Sequence, residues 1–163
     1  MKKLYVIRHG KSDWGNPEVI DFNRQLNHRG LSDAPRIGKH LCNHHDNADI
    51  ILSSPAKRAI TTAKLIADQV NYPDTRIKTN ENIYLANKES LLEIINSIDD
   101  QHNCAYIVGH NPGFSNLASY LIDDWIEMKT CCVAILVSNV KSWKHWSKGN
   151  AILEKYLSPK IIN

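Results

Sequence analysis

The stretch Lys3-Leu4-Tyr5-Val6-Ile7-Arg8-His9-Gly10 decides the fold. Residues 2–7 form a short apolar run with β-branched members, and the run stops at a charged residue and a glycine. A half-buried strand would alternate apolar and polar residues. An unbroken run of this length bounded by loop residues is the pattern of a strand covered on both faces. The same pattern returns at residues 49–53, 104–108 and 132–137, with weaker or shorter versions at 76–79 and 151–157. Helical periodicity fills the intervals. Residues 32–44 place Ile37 and Leu41 four apart, with Ser32 able to cap and Pro35 tolerated in a first turn. Pro55 opens a helix to about residue 70 with Ile60, Ala63, Ile66 and Ala67 on one face, and two more helices are expected at 88–98 and from Pro112-Gly113 to about 122. Strands alternating with helices imply an α/β layered domain built on a mostly parallel sheet. Residues 8–28 are polar and aperiodic, and a loop that long usually has a function.

The 163 residues suit a single domain spanning positions 1–163, large enough to bury a core without staples. A net charge of +3, spread along the chain, gives no reason to expect nucleic acid. The apolar run behind Lys2-Lys3 ends at Arg8, too soon for a signal sequence, and no other stretch has the apolar length of a membrane span. Cys42, Cys104, Cys131 and Cys132 make no C-x-x-C pair and suit neither a disulfide framework nor a zinc site. They read as reduced thiols in a cytoplasmic protein.

Ligands of open α/β sheets bind beyond the carboxyl ends of the strands. The first strand runs into Arg8-His9-Gly10, the second into Ser53-Ser54-Pro55-Ala56-Lys57-Arg58, and the third into Gly109-His110-Asn111-Pro112. If the three are parallel, Arg8, His9, Arg58 and His110 converge at one edge. Two of the three segments also start helices, whose N-termini favour anions. The expected site is therefore one for phosphate, or for sulfate in its place.

These motifs resemble those of the histidine phosphatase superfamily. Arg8-His9-Gly10 followed by Lys11-Ser12-Asp13-Trp14 is similar to its opening motif, Ser53 to Ala59 to its second, and Gly109-His110-Asn111-Pro112-Gly113 to its last. Asp21, Arg24, Leu26-Asn27 and Arg29-Gly30 also resemble the pattern of small SixA-type phosphohistidine phosphatases. The resemblance runs in order from residue 3 to about 120. It implies a three-layer phosphoglycerate-mutase-like domain, no metal or cofactor, and His9 as nucleophile with Arg8, Arg58 and His110 around the phosphate. Ser12, Asn16 and Asn111 are expected to contact the substrate. Two positions depart from the pattern. Gly15 follows Trp14 where many relatives have Asn, which shifts that role to Asn16, and Gln25 stands where Pro is frequent.

The leaving group separates the possible substrates. A departing alkoxide needs a proton donor, typically worth about 10²–10⁴ in rate, whereas a protonated imidazole leaves a phosphoramidate more easily. The superfamily carries its acid between the second and last motifs. Here the stretch in question, residues 81–89, holds only Glu81 and Glu89, neither clearly in the family position. This favours phosphohistidine on a protein substrate. The 49 residues from His9 to Arg58 and the 52 from there to His110 leave little chain for a lid. A small-molecule phosphomonoesterase or mutase using Glu81 or Glu89, and a noncatalytic phosphate-binding module, remain the alternatives. His40 and His44, beside His45 and Asp46, have a spacing that can hold zinc but read better as a polar helix end. Trp143 and Trp146, three apart, read as helical packing residues.

Overall fold

Each of the first three strands is followed by a segment that carries the chain back over the sheet, so the first four run in the same direction. In the computed structural model, which describes residues 1–162, the order is β1 (Lys2–Arg8), α1 (His28–His44), β2 (Ile50–Ser53), α2 (Lys57–Gln69), β3 (Lys78–Thr79), α3 (Lys88–Asn96), β4 (Cys104–Gly109), α4 (Gly113–Ile122), β5 (Val133–Ser138) and β6 (Ile152–Leu157). They form one sheet in the order β3-β2-β4-β1-β5-β6. β1 to β4 are mutually parallel, while β5 and β6 are antiparallel additions at one side.

Alternate residues of β1 serve two cores. Leu4 and Val6 pack with Leu91 and Ile95 of α3, and with Phe114 and Leu117 of α4. Tyr5 and Ile7 pack on the other face with Ile37 and Leu41 of α1, and with Ala63 and Ile66 of α2. The result is a three-layer α/β fold. It also explains why β1 reads as an unbroken apolar run, because both of its faces are buried.

Two details differ from the sequence expectation. α1 begins at His28, four residues before the expected start, because Asn27 rather than Ser32 caps it: Asn27 Oδ1 accepts from Gly30 N at 2.9 Å. Pro35 consequently lies inside the helix. The carbonyl that it cannot satisfy belongs to Leu31, an exposed residue, where water can serve instead. Trp143 and Trp146 belong to a 3-10 turn rather than an α-helix, although they are buried and stacked with ring centroids 5.4 Å apart, as packing residues should be.

The long loop after β1 is also more ordered than its composition suggests. Its two ends pair as Asp13 N to Gln25 O at 2.8 Å and Asn27 N to Lys11 O at 2.9 Å. A 3-10 turn at Asp21–Asn23 projects from between them. Gly30 makes this possible, since a Cβ there would sit 2.4 Å from the Lys11 carbonyl oxygen. Among the described residues no helix is long and apolar enough to cross a membrane. All four cysteines are free thiols.

Gly30→Ala is expected to lower stability by about 1–3 kcal/mol, because backbone rather than a flexible side chain must yield. Urea unfolding measures this, and an unchanged midpoint would contradict the close approach.

Candidate active site

Register puts the two motif histidines side by side. β1 and β4 are parallel with Arg8 opposite Gly109, so the next residue of each strand, His9 and His110, leaves the sheet at the same level. Their ring centroids are 5.2 Å apart. Ser53 of β2 lies opposite Val108, which brings Ser54 against His110. α1 follows β1 onto one face and α4 follows β4 onto the other. The β1–β4 boundary is thus a topological switch point, where open α/β sheets form their crevice.

A cavity of about 380 Å³ opens there, with Arg8, His9, Ser12, Asp21, Arg24, Arg58, His110 and Asn111 in its lining. His9 is 6% exposed. Its Nδ1 lies 2.6 Å from the Gly10 carbonyl and can only donate to it, which leaves the lone pair on Nε2. Arg58 Nε donates to that nitrogen over a long 3.3 Å. Burial, reinforced by the charges of Arg58, Arg8 and Arg24, lowers the His9 pKa to about 4 and keeps the ring neutral near pH 7.

His110 is 2% exposed. Its Nε2 is 2.8 Å from Ser54 Oγ, which already accepts from Ala56 N at 3.2 Å. With Ser54 donating to Nε2, the His110 proton resides on Nδ1, which is buried without a protein partner among the described residues. Burial, then the neighbouring His9 and Arg58, lowers its pKa to about 3. It is therefore a neutral donor near pH 7, and a dianion beside it would favour the charged form.

Arg8 Nη1 donates to the Met128 carbonyl at 3.1 Å, and its buried Nε has no protein partner. Arg58, 2% exposed, spends three of its five N–H groups: one on His9, one on the Asp21 carbonyl oxygen at 2.7 Å, and one on Asp21 Oδ2 at 3.0 Å. The remaining two are free for an oxyanion.

Asp21 organises these cations. Its carboxylate also accepts from Arg24 Nη1 at 2.6 Å and Tyr84 Oη at 2.5 Å. Burial opposes its charge, but the hydrogen bonds from Tyr84, Arg24 and Arg58 outweigh it and hold the carboxyl well below the usual range. Arg24 in turn donates to Ser12 Oγ at 3.1 Å and stacks on exposed Trp14. Thr62, one helical turn beyond Arg58, ties the two motifs together. Its Oγ1 accepts from Gly10 N at 3.0 Å and donates to the Arg58 carbonyl at 2.8 Å.

The structure brings Arg8, His9, Arg58, His110 and Ser12 together, as the motifs suggested. Two expected contacts are placed differently. Asn16 does not line the cavity; its Oδ1 turns back to accept from Glu18 N at 3.0 Å. Asn111 lines it, but its carboxamide is engaged, with Nδ2 on the Met128 carbonyl and Oδ1 capping α4 through Ser115 N and Oγ. The start of α4 is therefore capped by protein at that point. Neither Glu81 nor Glu89 reaches the cavity, and Asp21 is the carboxylate in its lining. Asp21 and Arg24 belong to the SixA-like pattern, but the pattern alone assigns neither a place around the cations. Tyr84 and Thr62 were missed, and only Thr62 left a signal, its i, i+4 spacing from Arg58. His40, His44 and His45 do cluster, with His40 ring centroids 4.6 and 5.5 Å from the other two. Among the described residues, however, no three His, Cys, Asp or Glu side chains are placed to hold a metal ion.

The profile of the histidine phosphatase superfamily (branch 1) matches residues 4–84, and the chain belongs to that superfamily. It is 28% identical to an uncharacterized chloroplastic protein of Arabidopsis thaliana, over 88% of this chain and 69% of that one. It is 34% identical to a 2,3-bisphosphoglycerate-dependent phosphoglycerate mutase of Mycobacterium leprae over only 42% of this chain and 29% of the mutase. In structure it is similar to the phosphohistidine phosphatase SixA candidate of Agrobacterium tumefaciens, with a TM-score of 0.83, 25% identity and coverage of 97% and 98% of the two chains. The protein histidine phosphatase SixA complexed with tungstate has the same fold, with a TM-score of 0.85, 16% identity and 99% of each chain covered.

The lowered histidine pKa values set a pH dependence of stability. In the unfolded chain both rings bind protons near pH 6.5, but in the fold only near 4 and 3. Their contribution is present above 6.5 and is lost as pH falls toward those folded values, at up to about 1.4 kcal/mol per pH unit for each ring. His40 and His45, also lowered by burial, act in the same sense. Urea unfolding at pH 7.5 and 5 should therefore show lower stability at pH 5, with a smaller difference in His9→Asn. Equal differences in both proteins would mean that His9 is not held neutral.

Proposed function

We propose that the chain is a cytoplasmic phosphatase acting on phosphohistidine of a protein substrate through a covalent intermediate on His9. One observation carries this reading. A neutral, oriented His9 Nε2 faces a cavity rich in guanidinium groups whose lining carboxylate, Asp21, is held ionised.

Nε2 attacks phosphorus in line with the bond to the leaving group. The bond from phosphorus to the leaving nitrogen breaks as the Nε2–phosphorus bond forms, and water then attacks the phosphohistidine, releasing inorganic phosphate and regenerating His9. The protein's main contribution is positioning and charge neutralisation. The spare N–H groups of Arg8 and Arg58, with His110 Nδ1 and the Ser12 hydroxyl, are the donors available to the three equatorial oxygens.

The protonation state of Asp21 favours a nitrogen leaving group. A carboxylate pinned by two arginines and a tyrosine is a poor proton donor to an alkoxide. A phosphoimidazole protonated on its far ring nitrogen departs as neutral imidazole and asks for no such donor. The tungstate bound by SixA, a tetrahedral oxyanion, is consistent with phosphate chemistry on this fold.

His9→Ala is expected to abolish turnover, and wild-type protein quenched with labelled substrate should carry an acid-labile, alkali-stable phosphoryl group. An acid-stable adduct would point to a hydroxyl nucleophile. In a panel of peptides, phosphohistidine should turn over faster than phosphoserine. The opposite order would assign the site to phosphate monoesters, and binding with no turnover of any substrate would make it a noncatalytic module.

A further inference from the structure

A second and larger depression, of about 690 Å³, lies beside the His9 cavity. Lys11 and Thr130 line both, so the two adjoin. The larger one contains no catalytic grouping, and it is walled by β6, the segment after it, the 125–132 segment and the start of α1. Trp125 and Ile161 stand at 70% and 64% exposure within its lining, large apolar side chains set beside the charged ones.

Its charge is lopsided. Lys11, Arg29, Lys129 and Lys160 contribute cations, against Asp33 and Glu127. Asp33 is already engaged by Arg36 at 3.2 Å and by Arg29 at 3.8 Å. Among the described residues Lys11, Lys129 and Lys160 make no ion pair with any carboxylate, and all three are exposed. Three ammonium groups without an ion pair, against the single carboxylate of Glu127, thus line exposed apolar surface that adjoins the cavity of the proposed nucleophile.

We infer that this groove holds the polypeptide flanking the phosphorylated side chain, and that it selects acidic segments bearing an apolar residue. The inference rests on the reading that the substrate is a phosphoprotein, and it adds which phosphoproteins. A small phosphate ester would fill the His9 cavity and leave the groove unused. A protein substrate must lay its chain somewhere along the opening, and the apolar and basic surface adjoins the cavity on this side. Acidic flanks would be attracted to Lys129 and Lys160, while Trp125 and Ile161 would cover an apolar side chain.

The test compares peptides with four acidic flanking residues and peptides with four lysines, each made with phosphohistidine and with phosphoserine. Phosphoramidate serves as the small substrate. Wild-type protein should favour the acidic flank by about tenfold in kcat/KM at low salt, and the preference should shrink as salt is added. Lys129→Glu/Lys160→Glu should remove the preference while turning over phosphoramidate as before. Equal turnover of both flanks by wild type would overturn the groove assignment, whichever phosphorylated residue is hydrolysed. Preference for phosphoserine over phosphohistidine would instead overturn the nitrogen-leaving-group reading, and the flank comparison on phosphoserine would still decide the groove. A dimer dissolved by the double variant, with no flank preference, would assign the groove to a second copy of the chain and overturn the proposal.

Discussion

The parallel pairing of Arg8 with Gly109 is the constraint on which the site depends. It fixes the level at which two strands, about a hundred residues apart in sequence, release their histidines. Slipping the register by one residue would turn one ring to the opposite face, because side chains alternate along a strand. That register is in turn held by the two apolar faces of β1, which must each meet a different core. The geometry of the site therefore follows from burial of Leu4, Tyr5, Val6 and Ile7, none of which touches the chemistry.

A second constraint is electrostatic. Arg8, Arg24 and Arg58 converge on one small cavity, and their charges repel. Asp21 relieves this by accepting from both Arg24 and Arg58. It can do so only because the loop after β1 is pinned at its base by pairing of Asp13 with Gln25 and Lys11 with Asn27. The capped start of α1, the glycine at position 30 and the ionised carboxylate are parts of one device that presents Arg58 to His9.

Burial then selects the chemistry. The same desolvation that lowers the pKa of His9 and His110 keeps both rings neutral, which suits a nucleophile in one case and a hydrogen-bond donor in the other. A dianion would balance the guanidinium charges that line the cavity. The same surroundings hold Asp21 ionised, which removes it as an acid. The proposed bias toward a leaving group that brings its own proton thus follows from how the arginines are held.

By itself the sequence determined the layered α/β plan and the four motif residues Arg8, His9, Arg58 and His110, because doubly buried strands leave unbroken apolar runs and ligands collect at strand ends. It left Asn16 and Asn111 indistinguishable from phosphate contacts, since a carboxamide that caps a turn or a helix reads the same as one that meets a ligand. It puts the start of α1 at Ser32 because Ser32 and Asn27 are both acceptable caps, and the pairing of Asn27 with Lys11, beside the close approach of Gly30, goes with the cap at Asn27. The bonds of Asp21 to Arg58, of Thr62 to Gly10 and of Tyr84 to Asp21 were decided by tertiary structure alone. Each joins residues from distant parts of the chain through side chains whose direction no local pattern encodes.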